Sequence, residues 1–204
     1  HHEHRRQRQM CIRDRDDVVH VMKKYRNICN YIHLPVQSGS SKILQKMNRG
    51  YSKEWYLKRI KSIREIIPDC AISTDIITGF CDESDEDFQE TLNLMKKVEF
   101  NFSYMFFYSE RPKTLAERKY KDNVPLEIKK SRLQKVIDLQ KEHSLKSNES
   151  SVGKIMEVLV EGPSKKSALE YCGRNDENYK VVFPKEGSKA VSYTHLTLPT
   201  MLMV

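Results

Sequence analysis

Three short runs rich in β-branched and aromatic residues constrain this chain most: residues 28–35 (ICNYIHLP), 71–80 (AISTDIITGF) and 102–108 (FSYMFFY). The stretches between them carry a helical period. Tyr56, Ile60, Ile63 and Ile67 mark one face of a helix that Pro68 should stop. Residues 84–87 (SDED) read as a capping box that opens a second helix, with Phe88, Leu92, Met95 and Val98 facing inward. Neighbouring parallel strands cannot be joined by a tight hairpin and need a crossover. A β-α-β-α-β series therefore predicts an α/β fold with a parallel sheet, or part of a (β/α) barrel.

Beyond residue 108 the pattern changes. A polar stretch (109–125) leads into a basic helix over about 126–147, with Leu133, Val136, Ile137 and Gln140 at helical spacing, which reads as a connector. Residues 154–160 (KIMEVLV) then alternate, Gly162 and Pro163 suggest a turn, and residues 179–183 (YKVVF) are strand-like. This second unit is all-β and too short to close a barrel. The domain boundaries expected are 16–147 for the α/β unit with its connector and 148–190 for the β-unit.

The two ends stand outside this scheme. Read as codons, residues 5–15 (RRQRQMCIRDR) are similar to a transposase-type sequencing adaptor translated in one frame, and the reverse complement of the same element translates as VSYTHLTLPT, residues 191–200. Residues 1–15 and 191–204 are therefore set aside as adaptor-derived and expected to stand apart from the fold. Removing them removes five arginines against Glu3 and Asp14, so the formal charge falls from +8 to +5. That mild excess suits a polyanionic partner without requiring one.

Of the 204 residues, 38% are hydrophobic and 31% charged, and no apolar run approaches a membrane span. With no apolar h-region near the N-terminus, the expected setting is cytoplasmic and away from membranes. Five cysteines lie scattered without CxxC spacing, which suits reduced thiols and shows no metal site.

Ligands bind where parallel strands end, and three segments lie there. In residues 33–40 (HLPVQSGS), a turn of small residues lets a ligand approach the backbone, with Gln37 and Ser38 offering donors and acceptors. An ordinary strand-to-helix turn with Ser40 or Ser41 as N-cap reads equally well. In residues 73–80 (STDIITGF), Asp75 sits inside an apolar strand, so it either faces a ligand or is locked in a structural pair. In residues 108–116 (YSERPKTLA), Arg111 is a cation at a strand end, suited to a phosphate or nucleobase or else simply solvated.

Taken in order, HLPVQSGS, MNRGYSKEWYLKRI (47–60), ISTDIITGF and YSERPKT resemble the C-terminal half of the radical S-adenosylmethionine (SAM) methylthiotransferase core, in its MiaB-type, tRNA-modifying form. Glu110, Arg111 and Pro112 fit that type better than the ribosomal-protein type, whose strand-end segment resembles YSxEEGT. The β-unit, with residues 158–161 and Gly173-Arg174, resembles the start of a TRAM domain, a small RNA-binding barrel. Two departures stand out: Asp82 and Lys113 occupy loop positions where the family usually has glycine.

The resemblance implies SAM and two 4Fe-4S clusters as cofactors. One cluster reduces SAM to a 5′-deoxyadenosyl radical, and an auxiliary cluster supplies sulfur. The cluster cysteines of the family lie upstream of the matched region and have no counterpart here, so this chain is expected to be inactive alone. The implied product is a methylthio group on carbon two of an isopentenylated adenosine beside the anticodon. By position, Gln37, Ser38, Gly39 and Asp75 would line the SAM side, and Arg111, Lys129, Lys130, Lys135, Lys165, Lys166 and Arg174 would face RNA. Implied partners are a tRNA anticodon stem-loop and a flavodoxin or ferredoxin as electron donor, with the whole enzyme monomeric. Two alternatives remain at this point: a non-catalytic RNA-binding module, or a methylthiotransferase acting on ribosomal protein or a threonylcarbamoylated tRNA adenosine.

Overall fold

The computed structural model of the protein describes residues 15–185 and the backbone of residues 193–197. Helix α1 (Asp16–Lys24) precedes strand β1 (Tyr31–His33), short helix α2 (Ser41–Lys46) and helix α3 (Lys53–Ile66). Strand β2 (Ala71–Thr78), helix α4 (Asp85–Val98), strand β3 (Phe102–Phe107), short helix α5 (Leu115–Lys119) and the long helix α6 (Leu126–Ser151) complete the α/β unit. The sheet order is β1-β2-β3 and both pairings are parallel, with Tyr31 opposite Ala71 and Ser73 opposite Phe102.

The helices form where the sequence caps them. Ser52 accepts from the Trp55 N–H at the start of α3, and Ser84 and Asp87 form the reciprocal capping box of α4. Their inward faces bury Tyr56, Ile60, Ile63, Phe88, Leu94, Met95 and Val98 against Ile32, Ile72 and Ile76 of the sheet. At roughly 25 cal/mol per Å² of apolar area, this single cluster is the main source of stability for the unit. The opposite face of the sheet is open, and Phe102, Tyr104 and Phe106 of β3 are each about half exposed on it.

Several expectations give way. The first strand is confined to Tyr31–His33, because Pro35 has no N–H and Gln37 turns the chain at φ 73°. Helix α1 has no counterpart in the sequence pattern; it buries only Val19 and Met22, too few for a visible period. The connector helix runs four residues further than expected, to Ser151.

In the second unit Gly162 and Pro163 do not turn. They lie within strand β4 (Ile155–Pro163), where a register shift between Val160 and Gly162 absorbs them as an irregularity. The chain reverses later, before strand β5 (Glu170–Asn175), and β6 (Lys180–Pro184) follows. Residues 193–197 form β7 (Tyr193–Thr197), antiparallel to β4, giving the order β6-β5-β4-β7. The expectation that this stretch stands apart is corrected; the otherwise unpaired edge of β4 takes it up. The rest of 191–204, and residues 1–14, lie outside the described residues. Arg15, also expected to stand apart, gives its carbonyl to the Arg59 guanidinium at 2.8 Å.

The two units meet through Tyr179. Its hydroxyl lies 2.5 Å from Asn101 Nδ2 and 2.7 Å from Ser147 Oγ, while Asn101 Oδ1 accepts from the Ile72 N–H at 2.8 Å. The β-unit thus docks at the N-terminal ends of β2 and β3.

Candidate active site

The open face of the sheet carries a polar cluster. Side chains alternate along a strand, so Tyr31, His33, Ser73 and Asp75 share this face. Ser73 Oγ lies 2.6 Å from the Tyr31 hydroxyl and 2.8 Å from His33 Nδ1. On its other side His33 Nε2 lies 3.4 Å from Asp75 Oδ1, and Gln37 Nε2 donates to Asp75 Oδ2 at 3.3 Å. The Tyr104 ring meets the His33 ring edge-on at 5.8 Å. Asp75 is therefore both paired and ligand-facing, since 27% of its side chain remains exposed on the open face.

The structure brings Gln37 and Asp75 together and separates Ser38 and Gly39 from them. Gln37 bridges to β2 through its backbone: its N–H donates to the Asp75 carbonyl and its own carbonyl accepts from Ile77, both at 2.9 Å. Ser38 is fully buried, with Oγ 3.4 Å from Thr91 Oγ1, and the Gly39 N–H donates to the same hydroxyl at 2.9 Å. A Cβ on Gly39 would overlap the backbone of Glu90 and Thr91. Ser38 and Gly39 thus lock the turn onto α4, and Ser40 caps α2 by accepting from the Ile43 N–H. The side chains of this turn serve its packing and the cap of α2.

Where β2 and β3 end, a cavity of about 330 Å³ opens. Ile77, Phe80, Tyr108, Met47 and Leu115 give it an apolar floor, and Lys46 and Arg49 stand among its lining residues. Phe80 and Tyr108 meet edge-to-face at 4.8 Å. Burial, with the neighbouring Cys81 adding to it, pushes the Tyr108 phenol up to about 12, so it stays protonated at neutral pH. The sequence pattern does not single out this pocket, because its walls come from three separate segments.

The pocket's loops are held from α6. Glu83 accepts from the Gly79 N–H at 2.7 Å and pairs with Arg132 at 2.8 Å, while Arg132 also reaches Asp85 at 2.7 Å. Burial raises the Glu83 carboxyl, and the Gly79 and Arg132 contacts oppose that rise. Lys129 threads its stem beneath Gly79, where a Cβ would strike it, and donates to the Tyr108 carbonyl at 3.1 Å and to Asp122. At 4% exposure, Lys129 cannot reach a phosphate, which corrects its assignment to an RNA surface.

The other cations expected to face RNA are placed differently. Lys130, Lys135, Lys165, Lys166 and Arg111 are exposed. Lys130 pairs with Glu127, one turn away, and Arg174 is shared between Glu161 and Asn178.

The described residues do not fit an iron–sulfur cluster. Among the described residues no three His, Cys, Asp or Glu side chains converge. Cys70 and Cys81 are buried, Cys29 is exposed, and Cys172 is half-buried in the β-unit. Among the described residues no helix is long and apolar enough to cross a membrane.

Residues 10–95 match the Radical SAM superfamily. The match takes in β1, β2 and most of α4 of the parallel α/β unit. Three curated relatives, all called tRNA-2-methylthio-N(6)-dimethylallyladenosine synthase, refine this. The protein from Amoebophilus asiaticus is 54% identical over 193 residues, covering 92% of this chain and 40% of the relative. Those from Christiangramia forsetii (55% over 170 residues; 83% and 35%) and Flavobacterium johnsoniae (51% over 183; 90% and 38%) agree. Over most of its length the chain is similar to these tRNA-modifying relatives. It spans about 35–40% of the length of these relatives. Coproporphyrinogen III oxidase (HemN) from Escherichia coli, a radical SAM enzyme, shares 16% identity over 83% of this chain and 46% of its own, with a TM-score of 0.48.

Proposed function

We propose that this chain forms part of an enzyme that places a methylthio group on carbon two of an N6-dimethylallylated adenosine in tRNA, next to the anticodon. The observation that carries the reading is the strand-end pocket, with its apolar floor and the cations Lys46 and Arg49 in its lining, on a sheet whose open face also carries the His33–Asp75 pair. In it, Ile77, Phe80 and Tyr108 would hold the adenosyl group of SAM, which supplies radical chemistry when bound. The Phe80–Tyr108 edge-to-face pair offers a base one ring face and one ring edge, and the neutral Tyr108 phenol adds no charge against it. Gln37 and His33 fix the carboxylate of Asp75 toward the open face, where it can accept a hydrogen bond from the exocyclic or ribose donors of a nucleoside.

The β-unit is read as a TRAM-type module that grips the RNA through Lys165 and Lys166, with Lys130 and Lys135 of α6 extending the basic surface and Arg111 nearer the target base. Two 4Fe-4S clusters, held by residues other than those described, and an electron donor of the flavodoxin or ferredoxin kind would complete a monomeric, cytoplasmic enzyme. Mass analysis of tRNA nucleosides from a strain lacking the gene tests this: the 2-methylthio form should vanish and its unthiolated precursor accumulate. Unchanged nucleosides, with RNA binding retained by the protein, would favour a non-catalytic module.

A further inference from the structure

Helix α6 holds the sheet at both of its ends. Near the helix start, Lys129 donates to the Tyr108 carbonyl at 3.1 Å and packs its stem under Gly79. One turn on, Arg132 donates to the Glu83 carbonyl at 3.0 Å and to the Glu83 carboxylate at 2.8 Å, and that carboxylate accepts from the Gly79 N–H. These contacts fix the loops where β2 and β3 run into the pocket. Further along the same face, Gln140 donates to the Phe100 carbonyl at 2.8 Å and Ser144 to the Asn101 carbonyl at 3.2 Å, just before β3 begins. Ser147 Oγ then meets the hydroxyl of Tyr179, the residue of the β-unit that also contacts Asn101.

Residues 129, 132, 136, 140, 144 and 147 are three or four positions apart, so they share one helix face. The 26-residue helix contains neither proline nor glycine, the usual causes of a kink. Lys129 and Ser147 lie roughly 27 Å apart along its axis. The pocket end resists slippage, because Lys129 and Arg132 are buried and a helix that shifted against the loops would strip buried charges of their partners.

We propose that α6 is a strut through which docking of the β-unit sets the strand-end loops, and that Tyr179 is a positioning residue for a pocket it does not touch. Without the Tyr179 hydroxyl, the Ser147 side chain keeps a longer, 3.3 Å contact to Asn101. The end of α6 is then freer to tilt about Val136, fully buried midway along the stripe, and the tilt moves Lys129 and Arg132 against the loops they hold. The coupling holds whatever ligand the pocket takes.

Hydrogen exchange of the full 204-residue chain, resolved by amide, reads the opening of each loop. The reporters are the N–H groups of Gly79, held by the Glu83 carboxylate, of Glu83, held by the Phe80 carbonyl, and of Tyr108, held by the Thr78 carbonyl. Amides of α3 report global opening. Tyr179→Phe keeps the ring and drops the hydroxyl; it should speed exchange at the reporters by about three- to tenfold, the range that one neutral hydrogen bond supplies, and leave α3 unchanged. Arg132→Gln should speed the same reporters by itself. Adding Tyr179→Phe to it should then change them by less than about twofold, because the strut is already released at the pocket end. Lys129→Met, a milder cut at that end, serves the same cycle if Arg132→Gln does not fold. Faster exchange confined to the surroundings of Asn101 and Tyr179 would make the contact local, and an equal rise in α3 would make it a global loss of stability. Additive effects of the paired substitutions would make the two ends of α6 independent. Any of these outcomes overturns the strut.

Discussion

Lys129 directs its ammonium onto both oxygens of the Asp122 carboxylate, at 2.7 and 2.6 Å, from a side chain that is 5% exposed against 26% for Asp122. That asymmetry ranks the two partners. Removing Asp122 leaves a buried cation with the Tyr108 carbonyl and ring alone among the described residues, whereas removing Lys129 leaves a carboxylate that water can reach. Asp122→Ala should therefore cost about 3 kcal/mol and Lys129→Met about 1–2 kcal/mol. Urea midpoints for the two variants check the order, and equal losses would mean that burial does not set the cost.

Asp82 and Lys113, the two positions where the family usually has glycine, both adopt left-handed backbone, with φ of 60° and 67°. Both turns thus hold a non-glycine residue in a conformation that favours glycine. A bulky residue costs about 1–2 kcal/mol there, partly offset by the extra freedom glycine gives the unfolded chain. Lys113→Gly should raise stability by about 0.5–1 kcal/mol, because the Lys113 side chain is exposed and its N–H, which bonds Glu117 at 2.6 Å, is kept. Asp82→Gly should gain less, since Asp82 also holds Lys46 and Asn123. Thermal melts of the two variants measure the difference.

How much of this was legible follows from the same residues. The strands and helices with an apolar period were readable in order. Strand β5 was hidden because Gly173 packs where a Cβ would strike the Leu159 carbonyl, so the strand lacks an alternating apolar pattern. The buried stripe of α6 is Lys129, Arg132, Val136, Gln140 and His143, at helical spacing but nearly all polar. A search for apolar period reads Lys129 and Arg132 as surface, and only the packed loops show where they go. Asp75 was legible as a carboxylate in an apolar strand. Its partner His33 was not, because the pair depends on the register that sets His33 beside Ser73.

Asp87 gives the fold an acid limit. Burial alone would raise its carboxyl, but hydrogen bonds from Lys42, Ser40 and Ser84 outweigh that and hold it at about 2. A carboxyl whose folded value lies below its unfolded one stabilises the protein above about pH 4, and that contribution disappears as pH falls toward 2. Asp87→Asn should cost about 2 kcal/mol at pH 7, with the wild-type and variant stabilities converging near pH 2. Denaturant titrations at pH 7, 4 and 2.5 follow the convergence, and a gap that stays constant would place the loss in packing rather than charge.

His143 acts in the same direction at higher pH. It is buried on α6, its Nδ1 has no hydrogen-bond partner among the described residues, and burial lowers its pKa despite Glu99 nearby. The unfolded chain therefore binds the proton more readily, so stability falls as pH drops through the ordinary histidine range. His143→Leu should lose less stability than wild type between pH 7.5 and 5.5, and parallel curves for the two proteins would show that the imidazole does not titrate on unfolding.

RNA binding separates the exposed cations from the buried ones. If Lys135, Lys165 and Lys166 contact phosphates of an anticodon stem-loop, reversing all three to glutamate should weaken binding and flatten its dependence on salt, by about 0.7–0.9 in log–log slope for each phosphate ion pair removed. Lys129→Met should leave that slope unchanged, because Lys129 is committed beneath Gly79 and to Asp122. Arg174→Ala should have a smaller effect than any of the three lysines, since Glu161 and Asn178 already take up part of its donor capacity. Titration of a labelled stem-loop at four salt concentrations reads all of these slopes. A triple reversal that changes neither affinity nor slope would move the RNA surface off α6 and the β-unit, and leave the exposed Arg111 as the contact to pursue.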